Sequence, residues 1–554
     1  MKMKKAIYII ITVLTVTLFF SCQKLTVSPT DKFTDESYWT SASKAKLVLN
    51  MAYNQMYSAG TMWQDEQLSD NLVHTYGTSD PFSIRRGEAT PALSLFANQW
   101  KNDYGGIKTC LVFLDNIDRI QDIDETTKNR MIDEIRFIRA FIYFRLVNYY
   151  GDVPFFTDEI TLDDAYNVKR TPKSEVMAFI HSELDDIIKA GNLPVSDNLS
   201  EDERGRITLG AAVAFQARAY LYENNYQKVK ELTGEMINDQ DTYGHYSLFT
   251  YNADKAMSYF MLFTPEQEYN SEVILDMTYV PNLKTWSTMK SMAPISKKAE
   301  ISSDNPTQEL VDAYMTLNGL PVKGTGKDPS YKESDPYVNR DPRLYATIVY
   351  DNYKWLNKDG SIDIIRTAKG SGTDDSYISP VDRQTKTGYY VHKYFDWTMS
   401  DNYESGLNII MFRYADVLLM YAEACNELGK INETEWDATI RAIRARAGFT
   451  AAAALDYPST KSQSELREDI RNERRVELAM EGLRWFDIKR WKIGQDVLNG
   501  YMHGFKFAGS DQSVDGGYIR VAQYQFSDTR DYIWSVPLDQ MDLNPNLKPN
   551  NPGY

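Results

Sequence analysis

A chain of 554 residues with 43% hydrophobic and 25% charged content can bury a large core and has the balance of a globular protein. Its formal net charge of -16, with no basic stripe to offset it, argues against nucleic acid as a partner. Three cysteines without a CxxC exclude a disulfide framework, and five scattered histidines lack zinc-ligand spacing, so neither a metal nor another cofactor is expected.

The first 22 residues read as a targeting segment. Lys2, Lys4 and Lys5 form a positive start, Ala6 to Phe20 a short apolar run, and Ser21 precedes Cys22 as in a bacterial lipobox. Cys22 is therefore the expected lipidation site, and acyl chains are expected to anchor the mature protein to a membrane without spanning it. Loss of the three leader lysines takes the charge to -19. Residues 23–240 are expected to form a first helical part, residues 241–405 a loop-rich insertion, and residues 406–554 a return to the helical scaffold.

Within the first part, the apolar spacing predicts a helix over 35–57 and then a long loop over 61–95, where Gly, Pro and Ser interrupt both periodicities. Helices are predicted over 96–120 and 129–150, the second ended by Gly151 and Pro154. Thr171 and Pro172 read as a cap and first position for a helix to Lys189. Residues 209–223 and 226–237 form a helix pair, in which Ala211, Ala214, Ala217 and Ala219 permit close contact. A similar pair is predicted over 413–428 and 433–446, closed by Gly429 and Gly448. The insertion between them alternates β-like runs, 272–277 and 344–350, with turns. Asn357 to Gly360 suggests a hairpin, and its acids are too few for a calcium loop. Cys110 and Cys425 fall within apolar helical patterns and are expected as buried thiols.

Arg471 to Trp491 reads as one helix around which the rest is organised, with Val476, Ala479, Met480, Leu483 and Phe486 on an apolar stripe. Its charges are expected to pair along the helix, Arg474 with Glu477 and Glu481 with Arg484. Glu477 and Glu481 lie one turn apart, near the separation of a glycosidase pair, but each has a basic neighbour, which favours a structural role. Trp100 and Trp485 sit on helical apolar faces and are assigned to packing.

Sugar recognition needs aromatic rings to stack on pyranose faces and short polar or guanidinium groups to meet hydroxyls. Two segments carry that mixture: the stretch from Trp63 to Arg86, and the insertion around Trp286 and from Arg383 to Tyr389.

Several motifs resemble the SusD-like (RagB/SusD) nutrient-binding lipoproteins of Bacteroidetes. They are EIRFIRAFIYFRLVNYYGDVPFF at 134–156, NSEVIL at 270–275, NRDPRL at 339–344, TGYYVHK at 387–393, RYADVLLMYAEACNELG at 413–429, RARAG at 444–448, the RRVELAMEGLRWFDIKRW segment and the terminal NPNLKPNNPGY. The resemblance implies a mainly α fold, a tetratricopeptide-like helix-pair superhelix packed against a loop-rich ligand-binding part with a few short strands. It implies a lipid-anchored outer-membrane protein, facing the cell surface. Such a protein captures oligosaccharides for a SusC-like TonB-dependent transporter and catalyses nothing. Capture of peptides, and less so a surface glycoside hydrolase, are the alternatives. The family's ligand contacts come from the loop after the first helix and from loops following the NSEVIL- and DPRL-like segments. The expected contacts by region are therefore Trp63, Asp70, Asn71, Tyr76, Trp286, Arg383 and Tyr389, with His74 in addition.

Overall fold

The computed structural model describes residues 38–252, 255–377, 383–400, 403–507 and 509–554. The leader and Cys22 lie outside these. Two helices open the described chain, α1 (Ala42–Met56) and α2 (Ala59–Gln67). They are followed by strand β1 (Leu72–His74) and helix α3 (Asp80–Arg85). The predicted long loop is thus corrected: α2, capped by the Ser58 hydroxyl on the Thr61 amide at 3.1 Å, runs through its start as far as Gln67, and β1 and α3 lie further along it. Polar residues obscured its period because Asp65 and Glu66 are buried on it.

The long helices α4 (Ser94–Asn116) and α5 (Glu125–Tyr150) follow, then α6 (Leu162–Asn167) and α7 (Lys173–Ala190). Helices α8 (Leu209–Tyr222) and α9 (Tyr226–Asn238) form the predicted pair, with Ala211, Ala214, Ala217 and Ala219 fully buried between neighbours. The insertion contributes β2 (Val273–Met277), β3 (Asp304–Pro306), α10 (Gln308–Ala313) and α11 (Pro342–Thr347). It then gives β4 (Ile348–Val349), β5 (Tyr353–Leu356), β6 (Ile362–Ile365) and β7 (Tyr390–Val391). The β-like run predicted at 344–350 is therefore mostly helix, started by Pro342 and capped by Asp341 on the Arg343 amide at 2.9 Å. The Asn357–Gly360 turn joins β5 to β6 as predicted.

The second arm begins with β8 (Ile409–Arg413) and α12 (Tyr414–Glu427). Helices α13 (Glu433–Trp436) and α14 (Ala442–Ala447) are joined through a π turn at Asp437–Arg441. Next come α15 (Gln463–Glu477), α16 (Arg484–Trp491), β9 (Gly500–Lys506), β10 (Tyr518–Tyr524) and α17 (Leu538–Leu543). Among the described residues every sheet has two antiparallel strands, so helices carry the architecture: β1 with β3, β2 with β8, β4 with β7, β5 with β6, β9 with β10. One apolar core runs from Trp39 to Leu547 and takes in both arms and the insertion. Trp100, Trp485, Cys110 and Cys425 all lie in buried positions.

The segment read as one helix over 471–491 is two. The chain leaves helical geometry at Leu478 and turns through left-handed Met480 and Gly482 before α16 begins. The carboxylate of Glu66 holds this turn, accepting the Met480 amide at 3.2 Å and the Gly482 amide at 2.9 Å. Gly482 is required there, since a Cβ would meet the Met62 carbonyl at 2.7 Å.

The break also redirects the charges. Arg474 pairs with Asp416 at 2.5 Å and Asp487 at 2.9 Å, and Arg484 with Asp70 at 2.8 Å, in place of the predicted neighbours. Beneath them five carboxylates, Glu272, Asp341, Glu473, Glu477 and Glu481, face five cations, Arg343, Lys393, Arg413, Arg444 and Arg446. Arg413 is the hub, reaching Glu272 and Glu477 at 2.7 Å through one nitrogen and Glu481 at 2.7 Å through another. Burial opposes the ionisation of Glu477, but Arg446, Arg413 and Arg343 outweigh it and hold its carboxyl well below the usual range. This cluster joins β2, β8, α11, α14 and α15, so it ties the insertion to the second arm.

Candidate functional site

Short strands bring two sequence-distant segments together. His74 pairs in register with Asp304, and the Thr75 amide donates to the Ser303 carbonyl at 2.7 Å. One step further, the Ser302 amide donates to the Arg383 carbonyl at 2.7 Å. His74, Tyr76 and Arg383 therefore share one rim. Tyr76 is 39% exposed, and the Arg383 guanidinium is exposed with one nitrogen on the Glu300 carbonyl at 3.1 Å. His74 Nδ1 lies 2.8 Å from Asp304. Burial works against its charge, but the hydrogen bond and charge of Asp304 prevail and raise its pKa.

The other five expected contacts lie inside the protein, which corrects the expectation that they sit on open loops. Trp63 is on α2, 1% exposed, edge-on to Tyr394 at 6.3 Å. Trp286 is buried and donates its indole N–H to the Leu407 carbonyl at 2.7 Å. Tyr389 is buried with its hydroxyl on Gln308 at 2.5 Å. Asp70 accepts from two Arg484 nitrogens, at 2.8 and 3.0 Å, and pairs with Arg475 at 2.9 Å; despite burial the charges of Arg475 and Arg484 lower its pKa to about 2. Asn71 donates to Glu66 at 2.8 Å and accepts from Arg475 at 3.0 Å. Asp70 and Asn71 nevertheless support the rim from below, because both of their carbonyls accept from Thr307, next to β3.

A recess of about 270 Å³ opens elsewhere in the insertion. Its floor is aromatic. Phe260 stacks on His392 at 4.8 Å, Trp355 lies 4.6 Å from the same imidazole, and Trp397 approaches Phe260 at 6.0 Å. Trp355 and His392 are buried, whereas Phe260 and Trp397 are half-exposed. Burial lowers the His392 pKa to about 4, so this ring is neutral near pH 7. Polar groups edge the recess: Lys297, bonded to Asn357 at 2.8 Å and to Asp363, together with Asp396. The indole N–H of Trp397 is fixed on Glu266 at 2.8 Å. The β5–β6 hairpin forms one wall, and alternation along β5 turns Tyr353 and Trp355 inward while Lys354 and Leu356 face out.

Rings half-open to solvent beside ammonium, amide and carboxylate groups can stack on a sugar ring and meet its hydroxyls. Trp355 and Trp397 fall within the insertion expected over 241–405 but were not among the expected contacts. The two-residue alternation around Trp355 was the available signal.

A wider groove of about 690 Å³ lies on the helical arm between α4, α6 and α17, lined by Trp100, Tyr104, Phe156 and Tyr166. It is rimmed by Leu162 and Leu543, which are 78% and 56% exposed. Among the described residues no helix is long and apolar enough to cross a membrane.

A helix-pair scaffold holding loops with an aromatic recess defines a binding protein of the helical-repeat class. The family profile described as "SusD family" matches residues 271–554, and a second, "Starch-binding associating with outer membrane", matches residues 26–221. The chain belongs to the SusD family. It is 25% identical to the SusD-like protein P25 of Formosa agariphila over 95% of both chains, and 26% identical to the SusD-like protein P2 of that organism over 96% of this chain and 97% of the relative. The crystal structure of a SusD-like carbohydrate binding protein from Bacteroides fragilis superposes with a TM-score of 0.81 at 28% identity, covering 92% of this chain and all of that one. A laminarin binding SusD-like protein shares the fold, with a TM-score of 0.66 at 23% identity over 93% of this chain and all of that one.

Proposed function

We propose that this chain captures an oligosaccharide at the outer cell surface, anchored through lipid on Cys22, and hands it unaltered to a SusC-like TonB-dependent transporter. The aromatic recess carries the reading: Trp397 and Phe260 stack on the sugar, and Asn357 and Lys297 meet its hydroxyls. His74, Tyr76 and Arg383 extend the contact along the β1–β3 rim, with Asp70, Asn71, Trp63, Trp286 and Tyr389 holding the loops beneath. The carbohydrate-binding relative and the laminarin-binding neighbour support this ligand class.

The absence of catalysis is part of the proposal. Glu477 and Glu481, the spacing that suggested a glycosidase, are buried and each is held by two or more cations. A carboxylate so neutralised is a poor proton donor or nucleophile. The helical arm carries most of the transporter contact, and its exposed Leu162 and Leu543 suit that role.

Affinity electrophoresis against a panel of polysaccharides tests the ligand class. Retardation by at least one glycan, reduced in Trp397→Ala, is expected. Retardation by none, together with calorimetric binding of peptides, would favour the peptide alternative. Charge reversals on the helical arm are expected to abolish co-purification of the transporter, and intact co-purification would count against that contact.

A further inference from the structure

Four cations gather between the ends of α3, α5 and α16 and the start of α7 without a carboxylate partner. Lys489 donates its ammonium to the Asn148 main-chain carbonyl, and Lys173 donates to the Asn148 side-chain oxygen at 2.8 Å. Lys492 is exposed, its ammonium 4.1 Å from the centre of the Tyr532 ring. Arg85 is only 2% exposed, and its guanidinium lies 4.3 Å from the Trp485 ring, which Lys489 also approaches at 5.5 Å.

Among the described residues none of the four lies in an ion pair, in a chain whose net charge is -16. Elsewhere the buried Arg343, Arg413 and Arg474 are each matched by two or more carboxylates, and buried Arg340, also without a carboxylate, donates to the main-chain carbonyls of Val311, Tyr314 and Pro336. The acids that act on this group from neighbouring elements are already engaged. Asp65 is held by Arg145 and Tyr149, Glu223 by His181, Asp531 by Arg530, and Asp70 by Arg484. Lys173, Lys492 and Arg85 also repel Lys489, whose pKa burial and those charges push well below the lysine range.

The unmet groups here are donors. All three guanidinium nitrogens of Arg85 and the indole nitrogen of Trp485 are buried without an acceptor. A ligand that suits them accepts hydrogen bonds and carries negative charge. We propose that Arg85, Lys173, Lys489 and Lys492 form a site for a small oxyanion, sulfate or phosphate, either free or as an ester on a saccharide. Capping of the α5 C-terminus explains the Lys489 bond to Asn148. It explains neither a lysine at the positive end of α7 nor an unpartnered buried guanidinium.

Calorimetric titration of the full-length protein with sodium sulfate, sodium phosphate and a sulfated monosaccharide, each against chloride of equal ionic strength, tests the proposal. Saturable binding is expected, weakened about tenfold or more in both Lys492→Gln and Lys173→Met, the loss expected for one charge-assisted hydrogen bond. Lys492 is exposed, so its replacement leaves the fold intact. Burial first, then the charge of Lys492, lowers the Lys173 pKa to about 8 despite an opposing pull from Glu223, so binding near that pH should take up a proton, seen as heat that varies with the buffer's ionisation enthalpy. Tighter binding of the sulfated sugar assigns the anion to a glycan, and equal binding assigns it to a free ion; both support the site. No saturable heat above the chloride blank, or affinity unchanged in both variants, overturns it and leaves the lysines as helix caps.

Discussion

Replacing Glu477 with glutamine keeps the volume of the side chain and removes one charge from a buried cluster of five acids and five cations. Glu477 accepts from Arg343 at 2.9 Å, from Arg413 at 2.7 Å and from Arg446, and it is fully buried. An amide cannot offer an acceptor to all three, so a buried guanidinium is left uncompensated, at a cost of about 3–5 kcal/mol. Unfolding entropy near 60 °C is about 2.1 cal/mol/K per residue. For 554 residues that gives about 1.2 kcal/mol/K, so a cooperative transition should fall by about 3–4 °C.

Scanning calorimetry at pH 7 measures this, with Arg446→Met and the double variant completing a cycle whose coupling should be about 1–3 kcal/mol. The pH dependence has a definite sign. The folded pKa of Glu477 lies below its unfolded value of 4.5, so its contribution is complete above that pH and is lost as pH falls toward the folded value. The gap between wild type and Glu477→Gln should therefore narrow below pH 4.5. A variant melting within about 1 °C of wild type at pH 7 would refute the reasoning.

Asp103→Asn should act with the opposite pH dependence: burial raises the Asp103 pKa to about 7, so the wild type loses stability as pH rises from 3.8 toward 7, and the variant should melt higher at pH 8. Melting curves across that range check it. Gly482→Ala forces a Cβ against the Met62 carbonyl at a left-handed position and should cost about 1–3 kcal/mol, read as a lower Tm. Trp100→Ala should cost about 3–5 kcal/mol in stability while leaving recess-dependent glycan retardation in place, whereas Trp397→Ala should do the reverse. Melting and affinity electrophoresis on the same samples separate the two.

The helix pairs were legible because their apolar faces recur over three or more turns, and Ala211, Ala214, Ala217 and Ala219 announced close packing. The break at Met480–Gly482 was not, because it depends on the Glu66 carboxylate arriving from 414 residues away to take the Met480 amide. The expected pairing of Glu481 with Arg484 failed for the same reason: sequence spacing scores neighbours on one helix, and the partner of Arg484, Asp70, comes from another segment. At the candidate rim, composition singled out the stretch around His74 and Tyr76, where the structure leaves Tyr76 exposed, but it could not tell a ring on a loop from one on a short helix. Asp65 and Glu66 gave α2 a polar appearance, so Trp63 looked exposed when it was core. Trp355 and Trp397 were visible as residues, yet their convergence depends on the β5–β6 hairpin folding back beside Phe260 and His392.

Saccharide capture without chemistry is tested most directly by one experiment. The purified protein is titrated with a glycan that retards it, tryptophan emission is followed, and the ligand is then recovered and analysed by mass spectrometry. The account predicts saturable quenching, weakened in Trp397→Ala, and a ligand recovered with its mass unchanged. Cleaved product, or quenching untouched by Trp397→Ala, would contradict it.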